Sequence, residues 1–150
     1  MKRELAEKYF TEGYNCAQSI ALAFADEIAL DKNVILKTIS PFGGGMGRLR
    51  EVCGAVSGMF YVLGALYGYD DPTDGVVKMT LYGEVQKLAL EFKNRNGSYV
   101  CRDLLKIQGS SVPVPDARTA EYYKKRPCVK LVGDAAEILE AYLKERGAIC

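Results

Sequence analysis

Apolar residues recur along this chain at intervals of three and four. Leu5, Tyr9, Phe10 and Gly13, then Ala17, Ile20, Ala21, Phe24 and Ile28, follow the rhythm of helices with one buried face. Gly13-Tyr14-Asn15 divides this stretch. Asn15 suits an N-cap and Gln18 stands three residues on, as in a capping box, which makes Cys16 the first residue of the second helix. A continuous helix through Gly13 is the alternative reading, and it weakens any argument from a helix end at Cys16. Asp31 caps a short helix over 32–39, ended by Pro41. A glycine-rich loop follows, and then a helix from about residue 49 or 50 to 67, closed by Gly68, with Cys53 in its first turn. After the turn at 70–74, a helix of about 20 residues runs to Arg95, with Val77, Leu81, Val85, Leu88 and Phe92 on one face. Asn96-Gly97 stops it. Ser98 caps the next helix, with Cys101 in its first turn. Thr119 caps a short helix bearing Tyr122 and Tyr123. Pro127 opens the last helix, with Cys128 directly behind it.

No alternating strand pattern exceeds a few residues, and there are no repeats. The expected fold is therefore all-α: a single domain, residues 1–150, built as a bundle of about six or seven helices, with the Gly-rich loop set before a buried central helix. The segment 108–116, with Pro113 and Pro115, is the longest loop. Its low charge suits a lid packed over the surface. Lys124-Lys125-Arg126 reads as a solvated helix end.

Charge narrows the function classes. Lys and Arg number 20 against 19 Asp and Glu, a net charge of +1, which gives no electrostatic case for nucleic acid or an anionic membrane as partner. The N-terminus has no apolar signal core. The most apolar stretch, 52–67, carries glycines and falls short of the ~20 residues a bilayer needs. A cytoplasmic location is expected. The long apolar helix and modest core are compatible with a homodimer. With no histidine, Ser-His and Cys-His nucleophilic catalysis are excluded in their usual forms.

The chain holds five cysteines. Cys16, Cys53, Cys101 and Cys128 are each expected at a helix start, where unpaired N–H groups and the positive dipole end favour thiolate, the form that attacks disulfides and binds metals. Cys150, the last residue, reads as incidental. No C-x-x-C pair is present, which argues against a small zinc knuckle but not against a site assembled from separate helices. Four cysteinyl ligands with no histidine suit an iron–sulfur cluster or zinc. In a reducing cytosol such cysteines lean toward metal or redox chemistry rather than permanent disulfides. The loop Phe42-Gly43-Gly44-Gly45-Met46-Gly47 sits close before Cys53. Amides at Gly43, Gly44, Gly45 and Gly47 are placed to donate to cluster sulfurs, an anion or a thiolate. Gly54 and Gly58 would let a neighbouring helix, or something bound, approach the backbone. The loop lacks the Gly-Lys-Ser/Thr of a P-loop.

Three readings follow. The first is a redox-active four-cysteine site, working by dithiol/disulfide chemistry or by iron–sulfur or metal binding, in electron transfer with a partner oxidoreductase. The second is a non-enzymatic helical module that binds a small ligand or anion, with structural cysteines. The third is a structural zinc site. Whether the chain is an enzyme stays open among them.

In order, Asn15-Cys16-Ala17-Gln18, the glycine loop, Cys53-Gly54-Ala55-Val56-Ser57-Gly58, Cys101-Arg102-Asp103-Leu104-Leu105 and Cys128 resemble the prokaryotic family called putative redox-active proteins, marked by four cysteines and a C-G-A-x-x-G motif. The resemblance covers most of the chain. It implies that Cys16, Cys53, Cys101 and Cys128 are the family cysteines and Cys150 an extra. It also implies gene contexts with oxidoreductases or transporters, hence an oxidoreductase or transporter-associated redox partner. Some members are exported; lacking an export signal, this chain resembles a cytoplasmic member. The family label does not supply a reaction.

Overall fold

Local capping chemistry decides most of the helix boundaries. The computed structural model describes residues 1–107 and 112–150. Among them are nine α-helices: α1 (Lys2–Thr11), α2 (Cys16–Ala23), α3 (Ala25–Ile28), α4 (Lys32–Ile39), α5 (Gly54–Tyr67), α6 (Gly75–Asn96), α7 (Cys101–Leu105), α8 (Ala120–Lys125) and α9 (Cys128–Glu145). No strand occurs among the described residues, so the all-α expectation holds. The helix count exceeds the expected six or seven partly because the second helix breaks at Phe24 (φ −111°, ψ 17°) into α2 and α3.

Gly13, at φ +109°, separates α1 from α2. The Asn15 side chain accepts from the Gln18 amide, and the Gln18 side chain accepts from the Asn15 amide. Asp31, Asp74 and Thr119 likewise accept amides of the first turns of α4, α6 and α8. Gly97 closes α6 in the left-handed region.

Two expected starts are corrected. α5 begins at Gly54, with Cys53 as its N-cap, and α7 is preceded by Val100 rather than by Ser98. The reason is tertiary. Val52 and Val100 form an isolated antiparallel bridge, with the Cys53 amide donating to the Tyr99 carbonyl (2.9 Å) and the Cys101 amide to the Glu51 carbonyl (2.6 Å). This pairing of 50–53 with 99–102 delays both helices and ties Cys53 to Cys101. Ser98 instead accepts the Val100 amide and donates to Asp103.

α5 is the central helix, buried along one continuous stretch from Gly54 to Met59 and again at Val62 and Leu63. It crosses α2 at its glycines. A Cβ on Gly58 would lie 2.7 Å from Cβ of Ile20, and one on Gly54 would lie 2.9 Å from Cβ of Cys16. The core that contains this crossing includes Phe10, Phe24, Phe92, Ile20, Leu139 and Leu143, each fully buried. Each contributes about 1.5–3 kcal/mol relative to exposure. α6 is less enclosed than its pattern suggested. Leu88 and Phe92 are buried, whereas Leu81 and Val85 are only partly covered and Val77 is 37% exposed. At 22 residues it is longer than α5, at 14, against which it packs. Among the described residues no helix is long and apolar enough to cross a membrane.

α1 is held against α9 by Asp134, a carboxylate only 3% exposed. It accepts from Arg3 and from Lys130 (2.6 Å), with Arg95 at 3.7 Å. Burial alone would raise its pKa, but the hydrogen bonds from Lys130 and Arg3 outweigh that and hold it below the usual aspartate value. Removing one partner of a buried pair leaves charge uncompensated. Asp134→Asn is therefore expected to cost about 3 kcal/mol in denaturant unfolding. Because the folded-state pKa is depressed, this contribution is present above about pH 4 and fades as pH falls through the folded value. Acid-unfolding curves of the variant should accordingly converge on wild type at low pH.

Candidate functional site

The four cysteines expected at helix starts come from four separate elements and line one cavity of about 430 Å³. Cys16 is the first residue of α2, Cys53 the N-cap of α5, Cys101 the first residue of α7 and Cys128 the first residue of α9. All are free thiols; Cys53, Cys101 and Cys128 are buried and Cys16 is half-buried. Cys150 is exposed and does not line the cavity.

The glycine loop forms the wall between Cys16 and Cys101. Gly44, Gly45, Met46, Gly47 and Arg48 all have φ between +60° and +69°, giving one left-handed turn closed by the Gly47 amide on the Gly43 carbonyl (2.9 Å). Each non-glycine residue in this region costs roughly 1–2 kcal/mol. Met46, Arg48 and Arg50 (φ +61°) bear that cost, and such strain persists only where surroundings enforce it. Arg50 is enforced by burial and by the Arg102 amide on its carbonyl. Arg48 is enforced by its donations to the Val112 carbonyl (2.9 Å) and to Asp116 (3.1 Å). Gly43, Gly44, Gly45, Gly47 and Gly54 line the cavity. Gly58 does not; it serves the α2–α5 crossing. Of the loop expected as a lid, 108–111 lies outside the described residues, while Pro113, Pro115 and Asp116 line the cavity.

Helix-end placement does not make all four thiols acidic. Burial pushes Cys53 up to about 12, although the Ala55 and Val56 amides at the start of α5 oppose it. Burial also raises Cys101, against the pull of Arg50, whose Nη1 lies 3.7 Å from its sulfur. Cys16 is raised strongly by its hydrogen bond to Cys128 and by burial. Only Cys128 goes the other way, to about 7. The Cys16 thiol donates to its sulfur, and Arg126, Arg118 and Arg50 add positive charge, outweighing burial. Desolvation disfavours any buried charge, and a helix end is too weak to reverse it alone.

The arginines were not among the expected site residues. Arg48, Arg50, Arg118 and Arg126 all line the cavity, with Asp116 as its one carboxylate among the described residues. Arg126 therefore belongs to the site and is not part of a solvated helix end. A signal for part of this group was present: Arg118, Tyr122 and Arg126 are spaced by four, and both guanidiniums lie against the Tyr122 ring, at 5.1 and 5.2 Å.

No three His, Cys, Asp or Glu side chains among the described residues are grouped to hold a metal ion. The fold and cavity thus define an all-α protein in which four thiols share one arginine-lined chamber. Residues 14–142 match the C_GCAxxG_C_C family, described as putative redox-active protein, and the chain belongs to that family. The match contains the glycine loop and every cavity cysteine. No curated protein and no solved structure matches the chain.

Proposed function

We propose that the protein carries out dithiol–disulfide exchange, with Cys128 as the attacking thiolate and Cys16 as the resolving thiol. The reading is carried by one arrangement: four free thiols from separate elements line one cavity with four arginines, and Cys128 is the thiol that Cys16, Arg126, Arg118 and Arg50 draw toward thiolate. In the first step the Cys128 thiolate attacks one sulfur of a substrate disulfide. A Cys128–substrate S–S bond forms, the substrate's own S–S bond breaks, and the departing thiolate takes up a proton. In the second, Cys16 gives its proton to the remaining substrate sulfur as it attacks Cys128. The substrate is reduced by two electrons to two thiols, and the Cys16/Cys128 dithiol is oxidised to a disulfide. Cys53 and Cys101 stay protonated. An oxidoreductase-type partner restores the dithiol, and the same steps run backwards when the partner is the oxidant.

The test starts from anaerobically purified, reduced protein. Stoichiometric oxidation by a small disulfide, followed by alkylation and peptide mapping, is expected to give a single Cys16–Cys128 bond with Cys53 and Cys101 alkylated only after unfolding. Iron, zinc or acid-labile sulfide bound to the four cysteines would overturn the reading in favour of a cluster or zinc site.

A further inference from the structure

We infer that the cavity selects its sulfur substrate by an anionic group, a carboxylate or similar oxyanion carried on a small apolar body. The inference rests on the dithiol reading above and adds the chemical class of its substrate. The charge in the chamber is unbalanced. Asp116 is shared by Arg48 (3.1 Å) and Arg126 (2.6 Å), one carboxylate between two guanidiniums. Arg118 meets only neutral acceptors among the described residues: the carbonyls of Phe10 (2.9 Å) and Tyr14 (3.0 Å) and the Tyr123 hydroxyl (3.3 Å). Its charge is thus oriented, and among the described residues no carboxylate forms an ion pair with it. Both Arg118 and Arg126 also lie over the Tyr122 ring, at 5.1 and 5.2 Å from its centroid, and the guanidinium fork is suited to a two-pronged grip on an oxyanion. The rest of the wall includes Leu104, Leu105, Pro113 and Pro115, which suits an apolar body. The volume, about 430 Å³, lies within the range of small-molecule sites.

Two arms test this. In the first, exchange rates of wild type, each divided by that of free mercaptoethanol, are compared for anionic dithiobis(nitrobenzoate), neutral dithiodipyridine and cationic cystamine. The anionic probe is expected to lead the neutral one by about tenfold, the worth of one charge-assisted contact, with cystamine slowest. Added salt should shrink the lead. Arg126→Gln should shrink it too, whereas Asp116→Asn should enlarge it, an opposition that a purely structural role for this pair does not produce. In the second arm, Cys128→Ser, which cannot exchange, is titrated with nitrobenzoate and its neutral isostere nitrobenzamide by calorimetry. Preferential binding of nitrobenzoate supports the inference even if no disulfide reacts with Cys128, a result that would remove only the exchange reading. Equal binding of the two, with exchange indifferent to probe charge, overturns the inference and leaves the exchange reading standing.

Discussion

Replacing Cys128 by serine is expected to abolish disulfide exchange, by on the order of a thousandfold or more, because no other cavity thiol is ionised near neutral pH. In wild type, alkylation of Cys128 should rise with pH and level off above a midpoint of about 7. The lowered value is a modest gain in itself. At pH 7 it raises the thiolate fraction about fifteenfold over an ordinary thiol with a pKa of about 8.5. The same change lowers intrinsic nucleophilicity about fivefold, leaving a net advantage of roughly threefold. Any larger rate must come from holding the substrate, which is the task assigned to the arginines. Two changes at Cys16 separate its roles. Cys16→Ala removes the donor and should move the Cys128 midpoint upward. Cys16→Ser keeps a hydroxyl donor and should move it less. Both should stall at a mixed disulfide on Cys128, visible by intact mass. A midpoint near 8.5 in wild type, or exchange that survives in Cys128→Ser, would sink the assignment.

What could be read along the chain was local. The Asn15–Gln18 box, the caps at Asp31, Asp74 and Thr119, and the Gly97 stop depend on side chains within a few residues of the backbone groups they satisfy, so spacing alone exposes them. The same locality placed Cys16 and Cys128 at their helix starts. The delayed starts of α5 and α7 were not readable, since the bridge between Val52 and Val100 joins residues far apart in sequence and leaves no periodic trace. Thiol acidity failed for a related reason. The helix-end argument treats each cysteine alone, while Cys53 and Cys101 are governed by the solvent they lose on burial, and Cys128 by its neighbour Arg126, by Arg118 and Arg50 further off in sequence, and by the Cys16 thiol on α2. Arg48 and Arg50 were hidden because their positions follow from a left-handed turn that glycines make affordable and that no hydrophobic pattern encodes.

That turn makes Gly45→Ala a strongly destabilising substitution. Two independent costs add there. The residue sits at φ +67°, where a Cβ costs roughly 1–2 kcal/mol. The same Cβ would also stand 2.6 Å from Cβ of Cys101, 2.8 Å from Cα of Arg50 and 3.0 Å from the Glu51 amide nitrogen. Two of those neighbours are backbone atoms of the segment paired with 99–102, so relief requires moving the strained Arg50 and the Cys101 wall together. Overpacking of this kind costs a further 1–3 kcal/mol or so, giving about 2–5 kcal/mol in all. That is a large share of the ~5–15 kcal/mol that stabilises most domains. Two glycines serve as controls. Gly97 has φ +92° and open space around it, so Gly97→Ala should cost only the conformational part. Gly83 lies mid-helix in α6 with nothing nearby and ordinary backbone, so Gly83→Ala should stabilise, by about 0.5–1 kcal/mol. Urea unfolding of the three variants should therefore rank Gly45→Ala far below wild type, Gly97→Ala moderately below it and Gly83→Ala above it. If Gly45→Ala were no worse than Gly97→Ala, the loop would not press on Cys101 and Arg50, and the chamber would have a different wall.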